Sequence, residues 1–197
     1  MPPAVRHTLI LIGLTFFPVA IYHRLRAARS GEKIDRTKEG WPILIGLRLA
    51  GLATLGTTVA WLWNPARFTW AAVPMPEWAR WIGVVGFAFA VGLLIWMLVS
   101  LGPNLTDTVV TRKDAYFVER GPYLFVRNPM YSAILLLGPS LGLALGTWLL
   151  PIAATAMFGI LARRTRIEEG YLIARFGDRY RDYMTRVGRF FPRLHGS

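Results

Sequence analysis

Four stretches of this 197-residue chain contain no Asp, Glu, Lys or Arg: His7 to His23, Leu49 to Ala66, Trp81 to Asn104 and Asn128 to Ala162. A helix needs roughly 17 to 25 such residues to cross a hydrocarbon core about 30 Å thick. With 54% hydrophobic and only 17% charged residues, the composition also lies far from that of soluble domains. Lipid offers no water to the backbone, so each run is expected to satisfy its own hydrogen bonds as helix. The fourth run is too long for one crossing, because a single helix rising about 1.5 Å per residue would overshoot the bilayer. Pro139, Gly142, Gly146 and Pro151 punctuate it. This predicts a tight helical hairpin, with arms near 130–144 and 147–161 that are short for two complete crossings. The expectation is an all-α, polytopic membrane protein with about five transmembrane helices, including the C-terminal hairpin, and a cytoplasmic helical tail. It forms a single membrane domain, residues 1–197, whose first half (1–100) supplies the N-terminal spanning helices.

The first apolar run is expected to stay as a helix. Around Phe16, Phe17, Pro18 and Ile21 there is no small-residue cleavage site, and only Arg6 precedes the run. Arg48 lies about two turns into the second helix, where its long side chain snorkels to the interface. Basic residues set the orientation. Six fall between Arg24 and Lys38, four between Arg112 and Arg127, and nine between Arg163 and Arg193, against two in the Asn64 to Arg80 loop. The N-terminus is thus expected outside and the C-terminus in the cytoplasm, an arrangement that five spans satisfy; a bacterial inner membrane fits. The formal net charge of +12 follows from this bias and from contact with anionic headgroups. No aromatic-interleaved basic motif accompanies it, so nucleic acid is not an expected partner.

Without cysteine, thiolate nucleophiles, disulfides and Cys-ligated metal centres are excluded. His7, His23 and His195 have no ligand partners at metal spacing, so no metal site is expected. Walker, GxGxxG and GxSxG signatures are missing. So is the internal repeat that marks many transporters.

Two polar segments flank the hairpin: Gly121-Pro-Tyr-Leu-Phe-Val-Arg-Asn-Pro-Met-Tyr131 and Arg163-Arg-Thr-Arg-Ile-Glu-Glu169. A hairpin brings its ends together, so Arg127, Asn128 and Tyr131 are expected beside Arg164, Glu168 and Glu169. Charged groups there would form a polar pocket at the membrane boundary, open sideways to lipid. Taken alone, Arg164 and Glu168 at i,i+4 would be an ordinary helix pair worth about 0.3 to 0.5 kcal/mol. Leu172, Phe176, Tyr180, Tyr183 and Val187 fall at helical intervals, which predicts an amphipathic tail lying on the membrane and closing the pocket. Gly177 is expected to break that tail into two short helices, with Asp178 capping the second.

Gly121-Pro122-Tyr123, Arg127-Asn128-Pro129-Met130-Tyr131, Glu168-Glu169 and Phe176-Gly177-Asp178-Arg179-Tyr180-Arg181-Asp182-Tyr183 stand in one order. In that order and at similar spacing, the region 101–192 resembles the isoprenylcysteine carboxyl methyltransferases and related phospholipid methyltransferases. The first helices match only as generic spans. One residue departs: Asn128 stands where the family's commonest motif has His, and Asn does not titrate near neutral pH.

The resemblance implies S-adenosylmethionine as methyl donor and makes residues 101–197 the catalytic half with the cofactor pocket. Carried over by position, Ala115, Tyr116, Phe117, Val118, Tyr123, Asn128, Pro129, Met130, Tyr131 and Glu168 would contact the cofactor, and Arg164 would face the acceptor. By residue chemistry, Arg127 would pair with the cofactor's carboxylate and Glu168 would accept from its ammonium or ribose hydroxyls. Tyr123 or Tyr131 would lie against the sulfonium. Glu169 would take up the proton released by an amine acceptor. The expected activity is therefore methyl transfer to a lipid-like or lipid-modified acceptor of the isoprenylcysteine carboxylate type, a hydrophobic or lipid-linked small molecule reached through the membrane lipids. A phospholipid amine N-methyltransferase, a non-catalytic membrane scaffold or carrier, and a sterol-reductase-like NADPH enzyme are the alternatives.

Overall fold

The computed structural model describes residues 1–28, 41–102 and 117–193. Among the described residues six α-helices follow in order: α1 (Pro3–Ala28), α2 (Trp41–Trp63), α3 (Glu77–Leu101), α4 (Pro129–Leu145), α5 (Leu149–Phe176) and α6 (Asp178–Arg186). Short 3-10 turns occupy Pro65–Ala71 and Gly121–Leu124. Among the described residues, extended pairing is limited to two isolated bridges, Ala72 with Thr147 and Val126 with Gly188. α1, α2 and α3 are each long and apolar enough to cross a membrane, whereas α4 is apolar but shorter.

The hairpin expected from the fourth run is α4 and α5. Its turn is built on Gly146, whose positive φ of 72° is a conformation only glycine adopts cheaply. The Gly146 amide donates to Gly142 O at 2.8 Å and its carbonyl accepts from Val73 N at 2.8 Å. Arg80 reaches from α3 to donate to Ala144 O at 3.0 Å, placing a cation on the carbonyl end of α4. Small residues let the helices approach closely, as membrane packing favours. A Cβ at Gly83 of α3 would run into the α4 backbone at Ser140 and Ala144, and one at Gly138 of α4 would strike Ala154 of α5. Around this contact lies the apolar core, with Val5 and Leu9 of α1, Val84, Phe87 and Val91 of α3, Leu141 and Leu145 of α4, and Leu150 of α5.

Three expectations for the tail are corrected. Its first part is not a separate short helix, because α5 runs unbroken from the turn to Phe176. The stretch from Leu161 to Glu169 is rich in helix formers, and a lone Gly170 lowers propensity by only about 1 kcal/mol. Gly177 does end the helix, with φ 58°. Asp178 does not cap α6: Gly177 holds the cap position, and Asp178 pairs with Arg181 at 2.7 Å. Nor does the apolar face of α6 lie on lipid. Tyr180, Tyr183 and Val187 are buried against Phe117, Leu172, Ile173 and Phe176. What α6 leaves exposed is Asp178, Arg179, Arg181, Asp182, Thr185 and Arg186, a fully polar face.

Candidate active site

Pro129 starts α4 and the apolar half of α5 ends near Ala162, so the first turn of one helix and the middle of the other meet at the hairpin's open end. Residues 165 and 169 of α5 are buried there, as are Pro129 and Tyr131 of α4. On a helix, neighbouring residues point about 100° apart. Glu168 and Glu169 therefore serve two different clusters.

The inner cluster joins Tyr131, Glu168 and Arg164. The Tyr131 hydroxyl, on a residue 2% exposed, lies 2.9 and 2.8 Å from the two carboxylate oxygens of Glu168 and shares its one proton between them. Arg164 Nε lies 3.2 Å from Glu168 Oε1, so the i,i+4 pair forms, but in a buried setting rather than on a surface. Burial, with a contribution from Glu168, pushes the Tyr123 phenol well above its ordinary value near 10.

The outer cluster centres on Glu169. Its Oε1 accepts from Arg127 Nε at 3.0 Å and lies 2.9 Å from Arg127 Nη2, and its Oε2 accepts from Arg189 at 2.5 Å. Arg127 Nη1 also donates to the carbonyls of Met184 and Val187, at 3.0 and 2.6 Å. Thus Arg127, expected on a cofactor carboxylate, is engaged by protein groups on three sides. Glu169, expected to take up a proton, has both oxygens on guanidinium groups. Its side chain is 5% exposed, against 19% for Glu168. The more open carboxylate of the pair is Glu168.

Residues after α6 close over this end. Val126 and Gly188 form a parallel bridge, Arg127 N donates to Gly188 O at 2.8 Å, and Asn128 N donates to Arg189 O at 3.0 Å. Asn128 Nδ2 donates to that same carbonyl at 3.2 Å, so this side chain meets the tail and not Arg164, Glu168 or Glu169. Ser132 Oγ donates to Phe190 O at 2.6 Å, and the Phe190 ring lies 6.3 Å from Tyr131 and 5.0 Å from Phe158.

Phe117 and Val118 lead into the site, with the Phe117 ring against Phe176, Tyr180 and Tyr183 and beneath Arg179 at 4.9 Å. Val118 is buried. The Tyr183 hydroxyl donates to Tyr123 O at 2.6 Å, fixing the turn before α4. Burial raises the phenols of Tyr180 and Tyr183; the carboxylates of Glu169 and Glu119 add to it, while Arg127 opposes it in both. Met130 is half-buried in the first turn of α4. Ala115 and Tyr116 lie outside the described residues, as do His195 and the 31–40 loop. Sequence reasoning missed Ser132, Arg189 and Phe190. Arg189 and Phe190 belong to a segment without periodicity, marked only by Arg189's charge, and Ser132 is a small polar residue in the first turn of α4 that nothing in the sequence singles out. No group of metal-binding side chains occurs among the described residues.

A groove of about 450 Å³ is lined by Gly56, Val59, Ala60, Trp63, Asn64, Arg67 and Phe68. It lies toward the Gly146 turn, since the 64–73 segment pairs with that turn through Ala72 and Val73. Seventeen residues of α4, about 25 Å at the helical rise, separate the turn from the charged end. The groove is not part of this site.

Residues 81–174, which hold the inner cluster together with Arg127 and Glu169 of the outer one, match the model of the isoprenylcysteine carboxyl methyltransferase family. Among curated proteins the chain is similar to the protein-S-isoprenylcysteine O-methyltransferase of Dictyostelium discoideum. The two are 27% identical over 126 residues, which cover 58% of this chain and 50% of the relative. The Schizosaccharomyces pombe protein of the same name is 26% identical over 98 residues, covering 48% of this chain and 42% of the relative. The chain thus spans about half the length, or less, of these two methyltransferases. The fold resembles a solved structure of a eukaryotic intramembrane Ras methyltransferase, an isoprenylcysteine carboxyl methyltransferase. Its TM-score is 0.59 at 20% identity, over 96% of this chain and 69% of that one. The isoprenylcysteine carboxyl methyltransferase fold therefore extends over α1 and α2, where the sequence offered only generic apolar spans.

Proposed function

We propose that this chain is an integral membrane methyltransferase that uses S-adenosylmethionine to methylate a carboxylate on a lipid-linked acceptor of the isoprenylcysteine type. The observation that carries the reading is the inner cluster, Tyr131–Glu168–Arg164, lying within the segment that matches the methyltransferase family. Five spans, counting the hairpin as two, with the N-terminus outside and the charged end in the cytoplasm of a bacterial cell, complete the reading; the basic residues support it.

The residues present suit the methyl donor. Its charges are a sulfonium, an ammonium and a carboxylate, and the site offers an anion with room to accept, Glu168, among the rings of Tyr123, Tyr131 and Tyr180. When bound, S-adenosylmethionine supplies an electrophilic methyl group on sulfur. The chain's own task is alignment, and holding two reactants in place supplies much of the rate in such a displacement. Tyr131 fixes the Glu168 carboxylate through its one hydroxyl proton, shared between the two oxygens. Glu168 in turn fixes Arg164, which would hold the acceptor's carboxylate. A carboxylate nucleophile releases no proton, so this site requires no base. An amine acceptor would require one, and the glutamate suited to that role, Glu169, is already clasped by Arg127 and Arg189. We therefore place Glu169 and Arg127 in the scaffold of the site, with Phe117, Val118 and Asn128 to Met130 forming its wall.

Calorimetric titration of detergent-purified protein with S-adenosylmethionine and with its demethylated product tests the donor site. Saturable binding that Glu168→Ala abolishes is expected; no binding by folded protein would sink the reading, and affinity for NADPH instead would replace it with the reductase alternative. Methyl incorporation into an S-prenylated cysteine with a free carboxylate, compared with phosphatidylethanolamine, tests the acceptor. Labelling of the amine alone would overturn the carboxylate assignment.

A further inference from the structure

We propose that the groove at the turn end of the molecule is a seat for one anionic phospholipid, with its phosphate on Arg67 and an acyl chain along α2. The seat lies at the opposite end from the charged clusters and does not depend on the methyltransferase reading. Gly56, Val59, Ala60 and Trp63 stand at i, i+3, i+4 and i+7 of α2, so they form one stripe of that helix. From Trp63 back to Gly56 the stripe runs about 10 Å into the apolar span at the helical rise. It is open along that length: Val59 and Trp63 are exposed, and a Cβ at Gly56 would meet nothing within 4 Å. Phe68 completes the apolar lining, held by stacking on the buried Trp61 with ring centroids 5.2 Å apart.

The polar lining, Asn64 and Arg67, stands only where the apolar span of α2 ends. The exposed rings of Trp70 and Trp148, edge to face at 5.8 Å, flank the same end, as tryptophans do at the level of lipid headgroups. A soluble anion would leave the stripe empty, and a hydrocarbon would leave the two donors unused; a phospholipid engages both. The sign of its charge follows from Arg67. No carboxylate lines the groove, and the one acidic residue between Asn64 and Arg80 is Glu77, at the start of α3. The other cation of that segment, Arg80, is engaged with Ala144 O. The Arg67 guanidinium is exposed and suits a phosphate with its planar fork of donors, and the Asn64 amide adds another. The carbonyl end of α2 carries partial negative charge and opposes an anion. Arg67 must therefore outweigh the helix end, which makes it the decisive residue. The groove's volume of about 450 Å³ is within the range of about 300 to 1,000 Å³ common for small-ligand sites. It takes the headgroup and the first part of one chain and leaves the rest in the bilayer.

Native mass spectrometry of the full chain, released from mixed micelles of phosphatidylglycerol and phosphatidylcholine with matched chains, reads which lipid is retained. Wild-type protein is expected to keep one phosphatidylglycerol in preference. Arg67→Gln should weaken that retention about fivefold, the upper end for an exposed ion pair, and abolish the preference. Arg67→Lys should restore part of it. Gly56→Leu fills the groove without touching a charge and should weaken retention by a similar factor. Gly92→Leu, at an equally open position of α3 outside the groove, should change nothing. Circular dichroism should show native helix in every variant. Calorimetric titration with S-adenosylmethionine should give the same result in all of them, so this seat and the methyltransferase reading fail separately. Unchanged retention in both Arg67→Gln and Gly56→Leu would overturn the seat. Equal retention of phosphatidylcholine by wild-type protein would overturn the anionic head, and displacement of the lipid by inorganic phosphate at equal concentration would overturn the acyl chain. A dimer that Gly56→Leu dissociates would give the groove to a second copy of this chain instead.

Discussion

The two ends of the α4–α5 hairpin are held by opposite kinds of chemistry. At the turn, the contacts are backbone hydrogen bonds, glycine approaches and one arginine on a helix end: Gly146 on Gly142, Val73 on Gly146, Arg80 on Ala144. At the open end they are two carboxylates, three arginines and a ring of tyrosines. An end closed by backbone and shape is indifferent to which polar side chains stand nearby. An end closed by buried charge depends on every partner, because one member removed leaves another charged and alone.

The most severe break in that contrast is Glu169→Ala. It leaves Arg127 enclosed without its anion, and a loss of about 3 to 5 kcal/mol is expected in detergent-solubilised unfolding. At the turn end, Gly138→Val is expected to cost about 1 to 3 kcal/mol, by steric overpacking against Ala154. Its loss should be independent of salt and pH, which a pair of unfolding curves checks. Tyr131→Phe removes the donor from Glu168 while keeping the ring. It should weaken S-adenosylmethionine binding roughly tenfold by calorimetry with a smaller change in stability.

Alkaline unfolding separates the ends further. The buried phenols of Tyr123, Tyr180 and Tyr183 titrate above their unfolded value, so their contribution is complete below about pH 10 and falls away as pH rises past it. Tyr183→Phe should make the decline shallower by up to about 1.4 kcal/mol per pH unit. The smallest effect expected is that of Arg186→Ala: its exposed pair with Glu119 should contribute less than about 1 kcal/mol.

The sequence displayed the spans, the hairpin and its punctuation because lipid makes local patterning nearly sufficient: an uncharged run has one way to satisfy its backbone. It also placed Tyr131 beside Glu168, since antiparallel arms must bring their ends together. The roles of the two glutamates were not legible. Adjacent in sequence, they differ only in which side of α5 they face and in what arrives there, and Arg189 arrives from a segment with no period to reveal it. The tail misled for a related reason. An apolar stripe on α6 looks the same whether it meets lipid or Phe117 and Phe176, and only the polar character of every remaining position, seen in three dimensions, distinguishes the two. Asn128 is the counterpart case: a departure from the family's His whose amide group now pins the Arg189 carbonyl.

Because α5 is one uninterrupted helix, it also works as a ruler. Glu168 stands 19 residues along it from Leu149, about 29 Å at the helical rise. That distance nearly equals the depth of a hydrocarbon core, about 30 Å. The rod has no joint before Gly177, so it cannot shorten or bend to suit a different membrane; it can only tilt or rise. With α5 crossing as the five-span proposal has it, the height at which the carboxylate meets the headgroups would be set by bilayer thickness. Lipids of differing chain length would tune how readily a membrane-borne acceptor reaches this site without altering a single contact within it.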